Sequence, residues 1–151
     1  MEPLYFEDFH LGQEFVTKGR TVTEADIVNF AALSWDTNAL HTDVEFAKKS
    51  PFGERIAHGL LGIVIHAGLS QMLGITDGTL LAFLGMTWNF HHPIKIGDTL
   101  RVMQRVKDLR DTSKPDRGVL TFEKELINQH GQVVQTGTTT ALIARRKPAG
   151  A

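Results

Sequence analysis

The sequence predicts an α+β domain, one long buried helix followed by an antiparallel sheet of at least four strands. Three observations carry this reading. Residues 59 to 74, GLLGIVIHAGLSQMLG, place apolar side chains around the whole helical circumference, so such a helix must be covered on most sides. After residue 79 the chain turns to β-branched and aromatic runs, several of them alternating, with turn-forming residues between them. The chain has 151 residues, 42% hydrophobic and 22% charged, which suits a single domain with a real core.

Taken in order, residues 12 to 22 (GQEFVTKGRTV) read as a short strand or hairpin with Gly19 in the turn. Thr23 then suits a helix N-cap, with Asp26 three residues on and Glu24 in the first turn. Ile27, Phe30, Ala31 and Ser34 recur at helical spacing, so a helix over 24–33 packs Ile27 and Phe30 inward. The stretch SWDTNALHTD, 34 to 43, follows neither the helical nor the strand period and reads as a loop. A short helical piece over 44–49 stops before Pro51. The apolar helix comes next, and Gly74 suits a left-handed cap. It is too short to span a bilayer.

The strand segments are LLAFLGMTWNFHHPI, GDTLRVMQRVKDL, GVLTFEKELIN and GQVVQTGTTTALIARR. In the third, Val119, Thr121, Glu123 and Glu125 share one face, while Leu120, Phe122, Lys124 and Leu126 share the other. Turns at Pro93 to Asp98, Thr112 to Asp116 and Asn128 to Gly131 make the four an antiparallel meander. Residues 1–147 form the expected domain and 148–151 a disordered tail.

Composition narrows the function. Sixteen basic against 17 acidic residues, net charge −1, provide no concentrated basic face for nucleic acid. With no cysteine, thiolate metal sites and cysteine nucleophiles are excluded. The start MEPLYFEDFH lacks a basic region followed by an apolar one, so a cytoplasmic protein without a signal peptide is expected. His91 and His92, adjacent on an expected strand, would point to opposite faces and not chelate together. His10 and His130 read as surface residues, and His66 as a buried, hydrogen-bonded one. No phosphate-cradling glycine loop or serine-nucleophile elbow is present.

The segment DTNALHTDVEFAKKSPFGERIAHG, residues 36 to 59, resembles the signature of the MaoC-like dehydratases, the (R)-specific enoyl-CoA hydratase family. Asp36, Asn38 and His41 reproduce its aspartate, asparagine and histidine spacing. Asp43, the Phe46–Ala47 pair and His58–Gly59 follow in the family's order, as does the Pro93, Gly97, Asp98 turn. The similarity runs from about Phe6 to Arg145. Trp35 and Ala39 depart from it, standing where many relatives have a small or polar residue and a proline. Ala67 stands where some relatives place a serine.

The resemblance implies a single hot-dog domain, a curved antiparallel sheet wrapped around a central helix over about 59–73. It also implies reversible hydration of a trans-2-enoyl-CoA, with no cofactor or metal, by a homodimer. Asp36 and His41 would share the proton transfers. Gly59 would let the thioester oxygen approach a free N–H at the positive end of the helix. Asn38, Trp35 and His58 would position substrate or water, although Asn38 and His58 also suit structural roles in the loop and Trp35 equally suits simple packing. Asp43 suits an N-cap better than catalysis. Arg101, Arg105, Lys107 and Arg110, or Arg145 and Arg146, could meet CoA phosphates or simply face solvent. A thioesterase on the same fold and a non-catalytic acyl-thioester binding domain are the alternatives.

Overall fold

The structure, a computed structural model, describes residues 1–147, and the expected tail, 148–151, lies outside them. The helices are α1 (Glu24–Ser34), α2 (Ala39–Thr42), α3 (Val44–Lys48) and α4 (Gly59–Gln71). The strands are β1 (Glu14–Val16), β2 (Arg20–Thr21), β3 (Leu80–Phe90), β4 (Thr99–Asp111), β5 (Arg117–Ile127) and β6 (Val133–Ala144). All pairings are antiparallel, and the strands run in the order β1-β4-β5-β6-β3, with β2 also on β4.

Two strand expectations need correction. Of the two readings of residues 12–22, strand or hairpin, the strand holds and the hairpin fails: β1 pairs with Met103 to Arg105 and β2 with Thr99 and Leu100, both on β4. Nor is the sheet a four-strand meander, because β3 lies beyond β6 rather than beside β4. The chain between β3 and β4 therefore has to cross from one edge of the sheet toward the other. On the way Ile94 O accepts from Ala57 N at 2.7 Å, and Lys95 bridges to Ile56. That crossing holds the segment leading into α4.

The main core lies under α4, where Leu61, Ile65 and Leu69 pack with Leu100 and Val102 of β4, Leu126 of β5 and Val134 of β6. From α1, Ile27 joins it, with Phe30 packed against it. A second cluster gathers Phe6, Phe9, Phe15 and Phe122 around Leu120 and Ile143, its rings meeting edge to face as aromatic quadrupoles prefer. The alternation expected in β5 holds: Leu120, Phe122, Lys124 and Leu126 are the buried side.

The expected all-round covering of α4 does not occur within one chain. Leu60, Val64 and Met72 are exposed, because the sheet packs on one side of the helix only. Among its large apolar side chains, only Leu61, Ile65 and Leu69 are buried.

Candidate functional site

Local capping explains how the loop after α1 is aimed. The Asp26 carboxylate accepts from Thr23 N at 2.9 Å, fixing the start of α1. Trp35 ends that helix in the left-handed region, φ 61°, an uncommon conformation for a bulky side chain. Its side chain is 88% exposed and lines neither of the cavities described below. The expected loop 34 to 43 contains one helical turn, α2. Asn38 caps it, its side-chain oxygen accepting from Leu40 N at 3.0 Å. Asp43 caps α3 in the same way, through Phe46 N at 3.0 Å.

These caps bring three of the expected residues together. Asp36, His41 and His58 each place a ligand-type atom within 4.8 Å of the others. The Asp36 carboxylate accepts from Asn38 N at 3.2 Å. Nδ1 of His41 lies 2.6 Å from Ile56 O; since a carbonyl only accepts, Nδ1 carries a proton, and in the neutral ring it is Nε2 that has the lone pair. Ile56 N in turn donates to Leu40 O at 3.3 Å, a second tie between α2 and the approach to α4. His58 is buried, with Nε2 2.9 Å from Asp36 O. Its ring stacks on His41 at 3.9 Å and meets Phe30 at 4.8 Å.

Gly59, the next residue, opens α4. Neither Gly59 N–H nor Leu60 N–H has a protein acceptor among the described residues, as helix starts require. A Cβ at Gly59 would sit 3.0 Å from the Phe90 ring. Below it the Gly59 carbonyl accepts from Gln135 Nε2 at 3.0 Å, and Gln135 Oε1 accepts from the Trp88 indole at 2.9 Å. Gln135 had no signal in the sequence, because its partners lie on other elements. Gly59 borders a cavity of about 300 Å³ with Phe52, Phe90, His91 and His92.

Several other expectations meet the structure here. His91 and His92 lie just beyond β3, and both backbone N–H groups point to Val134 O, so strand alternation does not separate them. Both border the Gly59 cavity. His66 is buried but only half satisfied: Nδ1 meets Ile63 O at 2.6 Å while Nε2 has no partner among the described residues. Burial, and next the nearby Lys124 charge, push its imidazole down to about 4. Of the candidate phosphate contacts, Arg105 pairs with Glu14 and Glu123, Arg145 with Glu7 and Asp111, and Arg146 with Asp8. His10 and His130 are exposed. Asp36, His41 and His58 have the residue types for a divalent metal, although two of the ring nitrogens already serve backbone carbonyls.

One long helix laid on an antiparallel sheet in this strand order is a hot-dog fold. The model of the MaoC like domain matches residues 8–128, and the chain belongs to that family. It is 34% identical over 144 residues to the (R)-specific enoyl-CoA hydratase of Rhodospirillum rubrum, covering 94% of this chain and 93% of that protein. It is 39% identical over 108 residues to the 3-hydroxybutyryl-CoA dehydratase of Methylorubrum extorquens, covering 70% of this chain and 66%, just under two thirds, of that one. Among solved structures, the monoamine oxidase regulatory protein from Archaeoglobus fulgius matches with a TM-score of 0.89 and 39% identity, over 97% of this chain and 98% of that one. No helix among the described residues is long and apolar enough to cross a membrane.

Proposed function

We propose that the chain is a hydro-lyase that reversibly hydrates a trans-2-enoyl-CoA to an (R)-3-hydroxyacyl-CoA. The observation that carries this reading is the clustering of Asp36 and His41 beside His58, with Nε2 of His41 left as a lone-pair acceptor. The oxygen of a water bound between them bonds to the β-carbon. The alkene electron pair moves toward the thioester oxygen, and the α-carbon then takes a proton. Asp36 and His41 accept the water proton and deliver the α-proton as a coupled pair. The change is redox-neutral, so proton transfer and charge stabilisation suffice.

The free N–H of Gly59 meets the thioester oxygen as negative charge grows on it. Asn38 and His58 act as positioning residues, one capping α2 and the other anchoring the Asp36 backbone. The hydratase and dehydratase names of the similar proteins support this reading. A homodimer formed along β3 belongs to it. That strand ends the sheet and exposes Leu81, Phe83, Leu84 and Phe90, and contiguous exposed apolar surface marks an interface.

The test is hydration of crotonyl-CoA and longer enoyl-CoAs, followed by loss of enoyl-thioester absorbance, with a thiol reagent to detect free CoA. Asp36→Asn and His41→Ala are each expected to lower kcat/KM by about 10²–10⁴ while remaining folded. Release of CoA without a hydroxyacyl product would replace the hydratase with a thioesterase. Binding of acyl-CoA with no turnover across the panel would leave a binding domain.

A further inference from the structure

A second and larger cavity, about 400 Å³, lies between α4 and the sheet. Most of its wall is apolar, including Ile63, Leu120, Phe122 and Ile143. A group of polar side chains interrupts that wall: Ser70 and His66 from α4, Gln104 from β4 and Lys124 from β5. Lys124 is 8% exposed, and its ammonium donates to Ser70 Oγ at 3.2 Å with the Phe122 ring 5.6 Å away. No aspartate or glutamate lines the cavity. Its strand neighbours Glu123 and Glu125 lie on the opposite face of β5. Gln104 Oε1 and His66 Nε2 are buried without a partner among the described residues.

An ammonium withdrawn from water with one neutral partner is costly unless something anionic pairs with it. Two more polar groups in the same wall, Gln104 Oε1 and His66 Nε2, are buried without a partner among the described residues, which makes a chance burial a poor account, because buried polar groups are normally satisfied. The cavity wall begins at Ile63, one helical turn past Gly59, and Ser70 lies about 16 Å along the helix from Gly59 at ~1.5 Å per residue. An apolar chain held by its thioester at Gly59 and laid along α4 would reach this polar group with its far end.

We propose that the cavity takes the far end of the acyl chain and that Lys124, with Ser70, selects enoyl thioesters whose chain ends in a carboxylate. This rests on the hydratase reading above. The carboxylate accepts from Lys124 and Ser70, and the Gln104 amide, turned about, offers a further N–H. A terminal hydroxyl would serve His66 Nε2 but leave the ammonium unpaired. A terminal methyl would leave the ammonium with Ser70 alone and Gln104 and His66 Nε2 unmet.

The test compares trans-2-enoyl-CoAs of matched, increasing length ending in methyl, hydroxyl or carboxylate, with wild type, Lys124→Met and Ser70→Ala. At the best length, wild type is expected to favour the carboxylate over the methyl terminus by about 10- to 100-fold in kcat/KM, the range for a buried charged hydrogen bond. Lys124→Met is expected to reverse that preference, mainly through KM, and Ser70→Ala to weaken it. Equal use of the termini by wild type, or preference for methyl or hydroxyl, would overturn the proposal whatever the stability of the variants. If no enoyl-CoA is hydrated, the hydratase reading fails separately. Calorimetric binding of saturated carboxyl- and methyl-terminated acyl-CoAs then decides the cavity: tighter binding of the carboxylate upholds it, and equal or weaker binding sinks it.

Discussion

At position 59 the side chain is a hydrogen atom, which leaves room for the nearby Phe90 ring and keeps the approach to the free N–H open. An alanine Cβ would meet the Phe90 ring at 3.0 Å, and Phe90, being half exposed, can yield into the cavity it lines with Gly59. Gly59→Ala is therefore expected to melt within a few degrees of wild type yet hydrate crotonyl-CoA about tenfold more slowly or worse, since small misplacements at a reacting centre are costly. Unchanged kinetics in a folded Gly59→Ala protein would remove Gly59 from the proposed oxyanion site. Asp36, His41 and Gly59 stand out in the sequence as candidates because their spacing is local and ordered. Lys124 is half legible: the alternation of β5 puts it on the buried face, but its single partner, Ser70, lies 54 residues away. The lack of a countercharge shows only in three dimensions. The stacking of His41 on His58 is hidden for the same reason, since it depends on two backbone carbonyls, of Ile56 and Asp36.

Between elements, α4 is held at its first turn by β6. Gln135, 1% exposed, donates to the Gly59 carbonyl and accepts from the Trp88 indole of β3. A Cβ at Gly62 would overlap the Gln135 amide, so glycine is what lets helix and strand approach this closely. Gly62→Ala is expected to cost about 1–3 kcal/mol as an overpacked core, against the gain of up to ~1 kcal/mol that helix propensity alone would give. Urea denaturation measures the sign, and a more stable variant would refute the close contact. Elements with many periodic residues, α1, α4 and β3 to β6, are readable from sequence. The turn α2 has four residues, too few for a period, and only its capping Asn38 marks it. The partners of β1 and β2 and the edge place of β3 depend on pairing between distant segments, such as Thr87 with Thr138. Local pattern carries no information about that choice.

For the molecule as a whole, two buried bases contribute to how stability follows pH. Burial holds His66 near 4 and lowers Lys124 to about 8, against about 6.5 and 10.4 in an unfolded chain. As pH falls from about 6.5 toward 4, the unfolded chain takes a proton that folded His66 refuses, and stability drops by up to about 3 kcal/mol. Between about 8 and 10.4 the unfolded chain keeps a proton that folded Lys124 sheds, so stability rises with pH by a similar amount. Lys124→Met should abolish the upper rise and be more stable at neutral pH, because a buried charge is replaced by an apolar chain of similar length. Denaturation midpoints of both proteins across this pH range check it, and parallel curves above pH 8 would refute it. The apolar surface that one chain leaves open is the other whole-molecule property. Along β3, Leu81, Phe83 and Leu84 are exposed at the free edge of the sheet, and Leu60 and Val64 on α4 and Met72 just after it are also uncovered. An unpaired edge strand this long and apolar is one that a soluble protein protects, and a second copy paired along β3 would do so. Light scattering is therefore expected to give twice the chain mass of 16.8 kDa. Leu84→Lys, which sets a charge on that edge, is expected to shift the equilibrium toward monomer at low concentration. A wild-type monomer at micromolar concentration, or a dimer indifferent to Leu84→Lys and to a second charge at Leu81, would place the interface elsewhere.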